Sequence, residues 1–177
     1  MRTCKNCKCK FDPQYNKVQQ VCSFECSIEL AKNKTNKKQI KDWNKEKAKR
    51  KEALKTLSDY LKELQVIFNQ WVRLRDKGRN CISCKKKCKK ENAGHYRSVG
   101  GNPELRFEPL NCHLQCEYCN TYLHGNLIDY RINLIHNIGL ESVEWLEGRH
   151  EPKHYTIDQI KGLKVFYRLK IKNLKDS

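Results

Sequence analysis

Two cysteine pairs constrain the fold of this sequence more than any other feature. Cys81 and Cys84 form one Cys-x-x-Cys pair, and Cys116 and Cys119 form a second pair, with 31 residues between the two pairs. Four thiolates with this spacing are a common ligand set for a tetrahedral structural zinc ion. The sequence therefore predicts a small domain in which one zinc ion holds the two pairs together.

A second cysteine group lies within the first 30 residues and predicts an N-terminal zinc-binding module over residues 1–30. Four thiolates close a tetrahedral site and leave no position open for chemistry, so we expect a structural zinc ion. Its binding would supply folding free energy that such a short segment cannot obtain by burial. The predicted ligands are Cys4, Cys7, Cys22 and Cys26.

Three of the eleven cysteines lie outside these two groups. Cys9 could replace Cys7 as a ligand, and Cys88 could be a free thiol or could replace Cys84; the spacing leaves both alternatives open. Cys112 is expected to be buried. No secretion signal follows Met1, and a reducing compartment keeps thiols available for zinc, so metal binding is favoured over disulfides.

The charge of the chain indicates a polyanionic partner. Thirty-seven Lys and Arg residues outnumber 20 Asp and Glu, which gives a formal net charge of +17. Nucleic acid is the leading candidate. The basic segments lack the broad apolar face of a membrane-surface helix, and no apolar run approaches the ~20 residues of a membrane span. We therefore expect DNA and no membrane as partner.

Segments with helical sequence patterns lie before and after the two cysteine pairs. Residues 31–57 contain neither Pro nor Gly and few apolar residues, which predicts a long charged helical linker. Apolar residues then recur at helical spacing from Leu57 to Leu74, after an expected Ser58 cap. Helices are also predicted over 127–138 and 141–146, and Thr156 with Gln159 forms a capping box for a last helix to about Leu174. We assign 58–177 to one domain.

The segment between the cysteine pairs predicts a β-hairpin. A turn-rich stretch from Ser98 to Pro103 separates a short run that ends near His95 from one that starts near Leu105. The second cysteine pair would then open a helix. This order places His95 at the end of the first strand, Asn111 on the second strand and Asn120 in the first helical turn.

These residues resemble a known family. The cysteine spacing is similar to that of the zinc-containing HNH, or ββα-metal, endonucleases, and most similar to the endonuclease VII type. The whole chain more narrowly resembles the phage NinG (Rap) recombination proteins, through the N-terminal cysteine module and several short strings. These strings are Cys81-Ile-Ser-Cys84, Ala93-Gly-His-Tyr-Arg97, Leu105-Arg-Phe107, Asn111-Cys-His-Leu-Gln-Cys116, Cys119-Asn120 and Gly125-Asn-Leu127.

The resemblance implies an α+β fold: an N-terminal zinc knuckle, a long charged helix, and a zinc-stapled, treble-clef-like ββα-metal domain with C-terminal helices. It also implies that His95 is a general base, that Asn111 holds the loop bearing His95, and that Asn120 binds a catalytic Mg²⁺ or Mn²⁺. The alternatives are a structural histidine at His95 and a helix cap at Asn120.

The sequence departs from the HNH pattern immediately before the histidine. Many HNH enzymes have an Asp ligand there, whereas this chain has Gly94. Another group must then complete the shell of a catalytic ion. His113 is one candidate because it shares a strand face with Asn111, and His124 is the other because it lies four residues after Asn120.

The resemblance predicts a structure-selective endonuclease that cuts branched recombination intermediates such as Holliday junctions and D-loops, in the bacterial cytoplasm during phage infection or lysogeny. The alternatives are a non-catalytic zinc protein that binds branched DNA and a sequence-specific nicking enzyme. Symmetric cleavage of a four-way junction would favour a homodimer. The residues expected to contact DNA phosphates near the site are Lys85, Lys86, Lys87, Arg97 and Arg106.

Overall fold

The structure, a computed structural model, describes residues 1–176 and divides into two compact units. The first unit is Met1–Lys55 and the second begins at Thr56. In the described part of the chain, no helix has both the length and the apolarity to cross a bilayer. Both units mix helices with a two-stranded sheet, as the predicted α+β class requires.

The first unit is a small hairpin followed by a long helix. Strands β1 (Arg2–Thr3) and β2 (Lys10–Phe11) pair antiparallel, and helix α1 spans Phe24–Ala53. The side chain of Ser23 caps α1 by accepting a hydrogen bond from the Cys26 N–H. No residue of α1 is buried, so this helix is stabilised by local interactions and not by a core.

The second unit contains four helices around one hairpin. Helix α2 spans Leu57–Arg75 and is followed by strands β3 (Glu91–His95) and β4 (Cys112–Cys116), which pair antiparallel. The remaining helices are α3 (Leu127–Ile138), α4 (Leu140–Glu147) and α5 (Ile157–Asp176).

The two ends of the predicted hairpin differ from the sequence expectation. Strand β4 begins at Cys112 and not near Leu105, because residues 103–105 and 109–111 form short 3₁₀ turns. Asn111 therefore precedes the strand. Cys116 ends β4, Cys119 lies in a single π-helical turn, Tyr118–Tyr122, and α3 starts only at Leu127.

Two apolar clusters enclose the hairpin. The first lies between α2, α5 and one face of the hairpin, and its aromatic rings include those of Phe68, Trp71, Phe107 and Tyr167. The second joins α3 and α4 to the loops around the hairpin through Tyr96, Leu105, Tyr130, Leu134 and Leu146. Burial of this apolar surface is the main stabilising term for the unit.

An ion pair at the end of α2 attaches the hairpin to this helix. Arg75 forms a two-pronged bond to Asp76, and its Nη2 also donates to the carbonyl of Cys112 at 2.8 Å. Asp76, which is only 2% exposed, accepts from the Leu114 N–H at 3.0 Å. Burial raises the pKa of Asp76, but the Arg75 guanidinium outweighs this and holds it below its usual range.

Candidate functional site

Each unit contains a group of four cysteines that could hold a metal ion. Within each group all four sulfur atoms lie within 4.8 Å of one another. Ligands at ~2.3 Å from a tetrahedral zinc ion would place sulfur atoms about 3.8 Å apart. The two groups are the predicted ones, Cys4, Cys7, Cys22 and Cys26 in the first unit and Cys81, Cys84, Cys116 and Cys119 in the second.

Measured sulfur separations agree with this geometry. Sγ of Cys22 lies 3.4 Å from Sγ of Cys7 and 3.6 Å from Sγ of Cys26. In the second unit, Sγ of Cys84 lies 3.8 Å from Sγ of Cys116. Both groups consist only of soft thiolate donors, which suits zinc, and both are complete with four ligands.

The first cysteine pair of each group lies on the same kind of backbone turn. The Cys4 N–H donates to the carbonyl five residues later at 2.8 Å, and the Cys81 N–H does so at 3.0 Å. In both turns the lysine four residues after the first cysteine, Lys8 or Lys85, has a positive φ, of 64° or 57°. The two units therefore present their metal ligands on equivalent knuckles, although their strands and helices differ.

The three other cysteines lie outside the two groups of four. Sγ of Cys9 is 2.6 Å from Sγ of Cys7 and 3.8 Å from Sγ of Cys22, so a fifth thiol borders the first site. Cys88 is half-buried, and burial raises its pKa to about 12. Cys112 is fully buried in the α2–α5 cluster.

His95 is the last residue of β3, and both of its ring nitrogens have partners. Nε2 lies 2.9 Å from the carbonyl oxygen of Arg106, a distance at which an Nε2–H donates. Nδ1 lies 3.7 Å from Sγ of Cys112. Burial lowers the pKa of His95 and outweighs the bond to the Arg106 carbonyl, which raises it; the charge of Arg106 also lowers it. The ring is therefore neutral at cellular pH, with Nδ1 as the unprotonated nitrogen.

Asn111 fixes the loop that follows His95. Its Oδ1 accepts from the Arg97 N–H at 2.7 Å, and its Nδ2 donates to the carbonyls of Arg97 and Leu105 at 3.0 and 3.1 Å. Its own carbonyl accepts from the Tyr96 N–H at 2.8 Å. Asn111 is fully buried, so these bonds form away from water and hold the segment that starts one residue after His95.

His95 and His113 lie on opposite faces of the hairpin. The register pairs His95 with Cys112 and Gly94 with His113, and side chains alternate along each strand. His113 faces α3, where its Nδ1 lies 3.3 Å from the hydroxyl of Tyr130. His113 therefore lies on the same face of the hairpin as Gly94.

Gln115 also lies on the Gly94 face, and the sequence analysis did not identify it. Its Nε2 donates to Oγ of Ser83 at 2.7 Å and to the carbonyl of Gly125 at 2.5 Å. Its Oε1 is buried and has no hydrogen-bond partner among the described residues. The only sequence signal was its two-residue spacing from His113, which predicts a shared face once β4 is placed correctly.

Asn120 and His124 do not share a helix face. Asn120 follows Cys119 directly and lies half-buried in the π-helical turn, which ends at Tyr122. His124 lies beyond this turn, is exposed, and has a positive φ of 49°. The expectation that they align at i and i+4 required a continuing helix and is wrong.

The predicted DNA-contacting residues fall into two classes. Lys85, Lys86 and Lys87 are exposed on the knuckle of the second unit. Arg106 is half-buried, donates to Oε1 of Gln65 at 2.8 Å and lies over the Phe107 ring. Arg97 is also half-buried, and its Nε has no partner among the described residues. The lysine side chains are therefore accessible to phosphates, whereas the two arginine side chains are partly buried in the protein.

Comparison with known proteins identifies related sequences along the whole chain. A family model described as Bacteriophage Lambda NinG protein matches residues 1–177. Protein ninG of Escherichia phage lambda is 37% identical over 193 residues, which covers 99% of this chain and 94% of the relative. Protein ninG of Salmonella phage P22 is 36% identical, with 99% and 95% covered. No solved structure matches the chain.

Proposed function

Because the chain belongs to the NinG family of bacteriophage proteins, we propose that it is a metal-dependent endonuclease that cuts branched DNA intermediates of recombination. In this proposal the β3–β4 hairpin, the cysteine site and the following turn form a ββα-metal (HNH) nuclease centre. The net charge of +17 supports a polyanionic substrate.

The environment of His95 carries the proposal. A general base needs an unprotonated nitrogen at cellular pH and a fixed orientation. The bond from Nε2 to the Arg106 carbonyl supplies the orientation, and burial keeps the ring neutral by lowering its pKa. Asn111 immobilises the loop immediately after the histidine. This arrangement is what a base that activates water for attack on a phosphodiester requires.

A divalent ion at this centre would have few protein ligands, because Gly94 provides no carboxylate. Mg²⁺ and Mn²⁺ prefer oxygen donors, and Mg²⁺ commonly keeps waters and substrate phosphate oxygens alongside one or two protein ligands. Gln115 offers a buried amide oxygen with no hydrogen-bond partner among the described residues, and Asn120 offers a second amide oxygen. In this proposal Asn120 would bind the ion, and Gln115 would have to turn its buried Oε1 toward it. Such an ion would neutralise charge on the scissile phosphate and the leaving oxygen.

The remaining steps belong to the protein itself. His95 would accept a proton from the attacking water at Nδ1, and the Arg106 carbonyl would stabilise the resulting imidazolium through Nε2–H. The Cys112 thiol, which lies near Nδ1, would have to move so that a water molecule could reach this nitrogen. Lys85, Lys86 and Lys87 would hold phosphates of the substrate without reading its sequence.

The test is cleavage of labelled Holliday junctions, D-loops and linear duplex in Mg²⁺ or Mn²⁺. His95→Ala should reduce the cleavage rate by about 10²- to 10⁴-fold, the usual contribution of a general base, and leave junction binding within twofold. His136→Ala, at an exposed histidine of α3, is the matched control and should cut as wild type does. Equal cleavage by wild type and His95→Ala would refute the role of His95.

One observation favours a second candidate, a non-catalytic protein that binds branched DNA. Both ring nitrogens of His95 already have protein partners, and Gly94 provides no carboxylate. This candidate predicts selective junction binding by both wild type and His95→Ala, with no cleavage in either metal.

A further inference from the structure

A groove lies beside the cysteine site of the second unit, between the knuckle loop and the π-helical turn. Its volume is about 390 Å³, within the range of ligand-binding clefts. Lysines and apolar rings line it together. The residues that matter for its chemistry are Lys86, Lys87, Lys89, Tyr118, Tyr122 and Leu123.

Two exposed tyrosines line this groove. Tyr118 and Tyr122, which belong to the turn after β4, are 63% and 67% exposed. Their ring centroids lie 6.1 Å apart with an interplanar angle of 34°. Neither ring contributes to the two apolar clusters of the unit. A pair of accessible, tilted aromatic faces is a surface on which planar groups stack.

The lysines give the groove a positive edge. Lys90 pairs with Glu117, the one acidic residue that lines the groove. Among the described residues, Lys86, Lys87 and Lys89 form no ion pair, and all three are exposed. Their charges are therefore available to an anionic ligand and lie next to the tyrosine rings.

We propose that this groove binds single-stranded nucleic acid, with unpaired bases stacked on Tyr118 and Tyr122 and the backbone phosphates held by the three lysines. Cations that alternate with exposed rings are the combination by which proteins bind single strands without reading sequence. Duplex DNA offers phosphates but no accessible base faces, and an acidic peptide would leave the rings unused. The inference rests on the proposed function for its choice of nucleic acid, but not on cleavage.

The affinity for an oligo(dT) strand, measured by fluorescence anisotropy, tests the stacking. Y118A/Y122A should weaken binding by more than roughly 5-fold, the smallest cost of losing stacking to a single base. Y118F/Y122F retains both rings and should bind as wild type does. Tyr15→Ala, at a tyrosine that is 85% exposed in the first unit, is the matched control and should have no effect. All three variants should keep their zinc content, because no ligand changes.

The salt dependence of the same binding tests the lysines. Replacing Lys86, Lys87 and Lys89 by glutamine should lower the slope of log K against log salt by about 2, since each phosphate contact on a single strand contributes about 0.7. Oligonucleotides with 5-iodouracil should also crosslink to the peptide that contains Tyr118 and Tyr122, and polyglutamate should not compete.

Three outcomes would overturn the inference: unchanged affinity in Y118A/Y122A, equal loss in Y118F/Y122F, or displacement of the strand by polyglutamate at matched charge. None of them depends on cleavage. If junction cleavage is absent but the ring-dependent affinity persists, the proposed nuclease activity fails and the single-strand groove stands. If cleavage that depends on His95 is found but the tyrosine variants bind normally, the proposed nuclease activity stands and the single-strand groove fails.

Discussion

A Cβ atom on Gly94 would lie 2.1 Å from Oε1 of Gln115, which is diagonally across the hairpin. It would also lie 2.9 Å from Cδ of the same side chain. Gln115 cannot move aside freely, because its amide group bonds to Ser83 and Gly125. The Gln115 side chain thus occupies the space that an Asp at position 94 would need, which gives a steric reason for the glycine.

Gly94→Ala should therefore destabilise the second unit by about 2–4 kcal/mol, through overpacking and loss of a buried hydrogen bond. Urea unfolding followed by tryptophan fluorescence measures this change. Adding Gln115→Ala to the Gly94→Ala variant should restore part of the lost free energy of unfolding, because it removes the clash.

Gly162→Ala is the matched control for this substitution. A Cβ there has no atom within 4 Å, and the residue lies inside α5. Because alanine is a better helix former than glycine, this change should stabilise the protein by about 0.5–1 kcal/mol. A Gly94→Ala protein as stable as wild type would contradict the packing around Gln115.

Removing one zinc ligand should unfold only the unit that contains it. The purified protein should hold two zinc ions per chain by plasma emission spectrometry. Cys81→Ser should reduce this to about one and expose the second unit to proteolysis, because structural zinc sites contribute ~10–16 kcal/mol of binding free energy to folding. Cys22→Ser should also leave about one ion but keep the second unit resistant.

Cys88→Ser is the control for the cysteine variants, because Cys88 lies outside both groups of four. It should retain two ions and wild-type resistance to protease. A loss of zinc in this variant would mean that Cys88, and not Cys84, completes the second site.

Thr56 rather than Ser58 should govern the start of α2. The Thr56 hydroxyl accepts from the Asp59 N–H, and the Asp59 carboxylate accepts from the Thr56 N–H at 3.0 Å. Thr56→Ala should cost about 1 kcal/mol in urea unfolding, as expected for loss of a cap. Ser58 is exposed in the first turn, so Ser58→Ala should stay within about 0.5 kcal/mol of wild type. Equal losses in both variants would contradict this cap.

His113 should make stability fall on mild acidification. Burial, together with the charge of Arg75, lowers its pKa to about 4, whereas an unfolded histidine titrates near 6.5. Below pH 6.5 the unfolded state then binds the proton more readily than the folded state. Between pH 7.5 and 5.5 this histidine should account for about 1 kcal/mol of lost stability.

The comparison with His113→Asn isolates this effect. The variant will be less stable overall, because it loses the contact with Tyr130, but its unfolding free energy should fall less between the two pH values. Urea unfolding at both pH values provides the measurement. Parallel pH dependence in the two proteins would show that His113 is not the titrating group.

The sequence was sufficient to predict the elements whose signals are local. Cysteine spacing identified both groups of four, and helical periodicity with the Thr156–Gln159 capping box located α3 and α5. The cap of α2 was misassigned to Ser58, because Thr56 and Asp59 form an equally good capping box two residues earlier.

The parts that could not be predicted depend on contacts between distant segments. Leu105 was expected to begin a strand, but three side-chain bonds of Asn111 hold the preceding loop and close residues 103–111 into short turns. Phe166 lies at helical spacing from other apolar residues of α5 but is 48% exposed, whereas Tyr167 is buried against Trp71. Helical periodicity allows either Phe166 or Tyr167 to face the core, and only the packing against α2 determines which of the two does.

Helix α1, which buries no side chain, has a consequence for how this protein could meet a nucleic acid. Thirty residues give a rod of about 45 Å, comparable to some thirteen base pairs at 3.4 Å each. Its lysines surround most of the circumference. In the proposed complex with nucleic acid, a straight rod with cations on so many sides would contact phosphates in many rotational settings, so its contacts would require no fixed register.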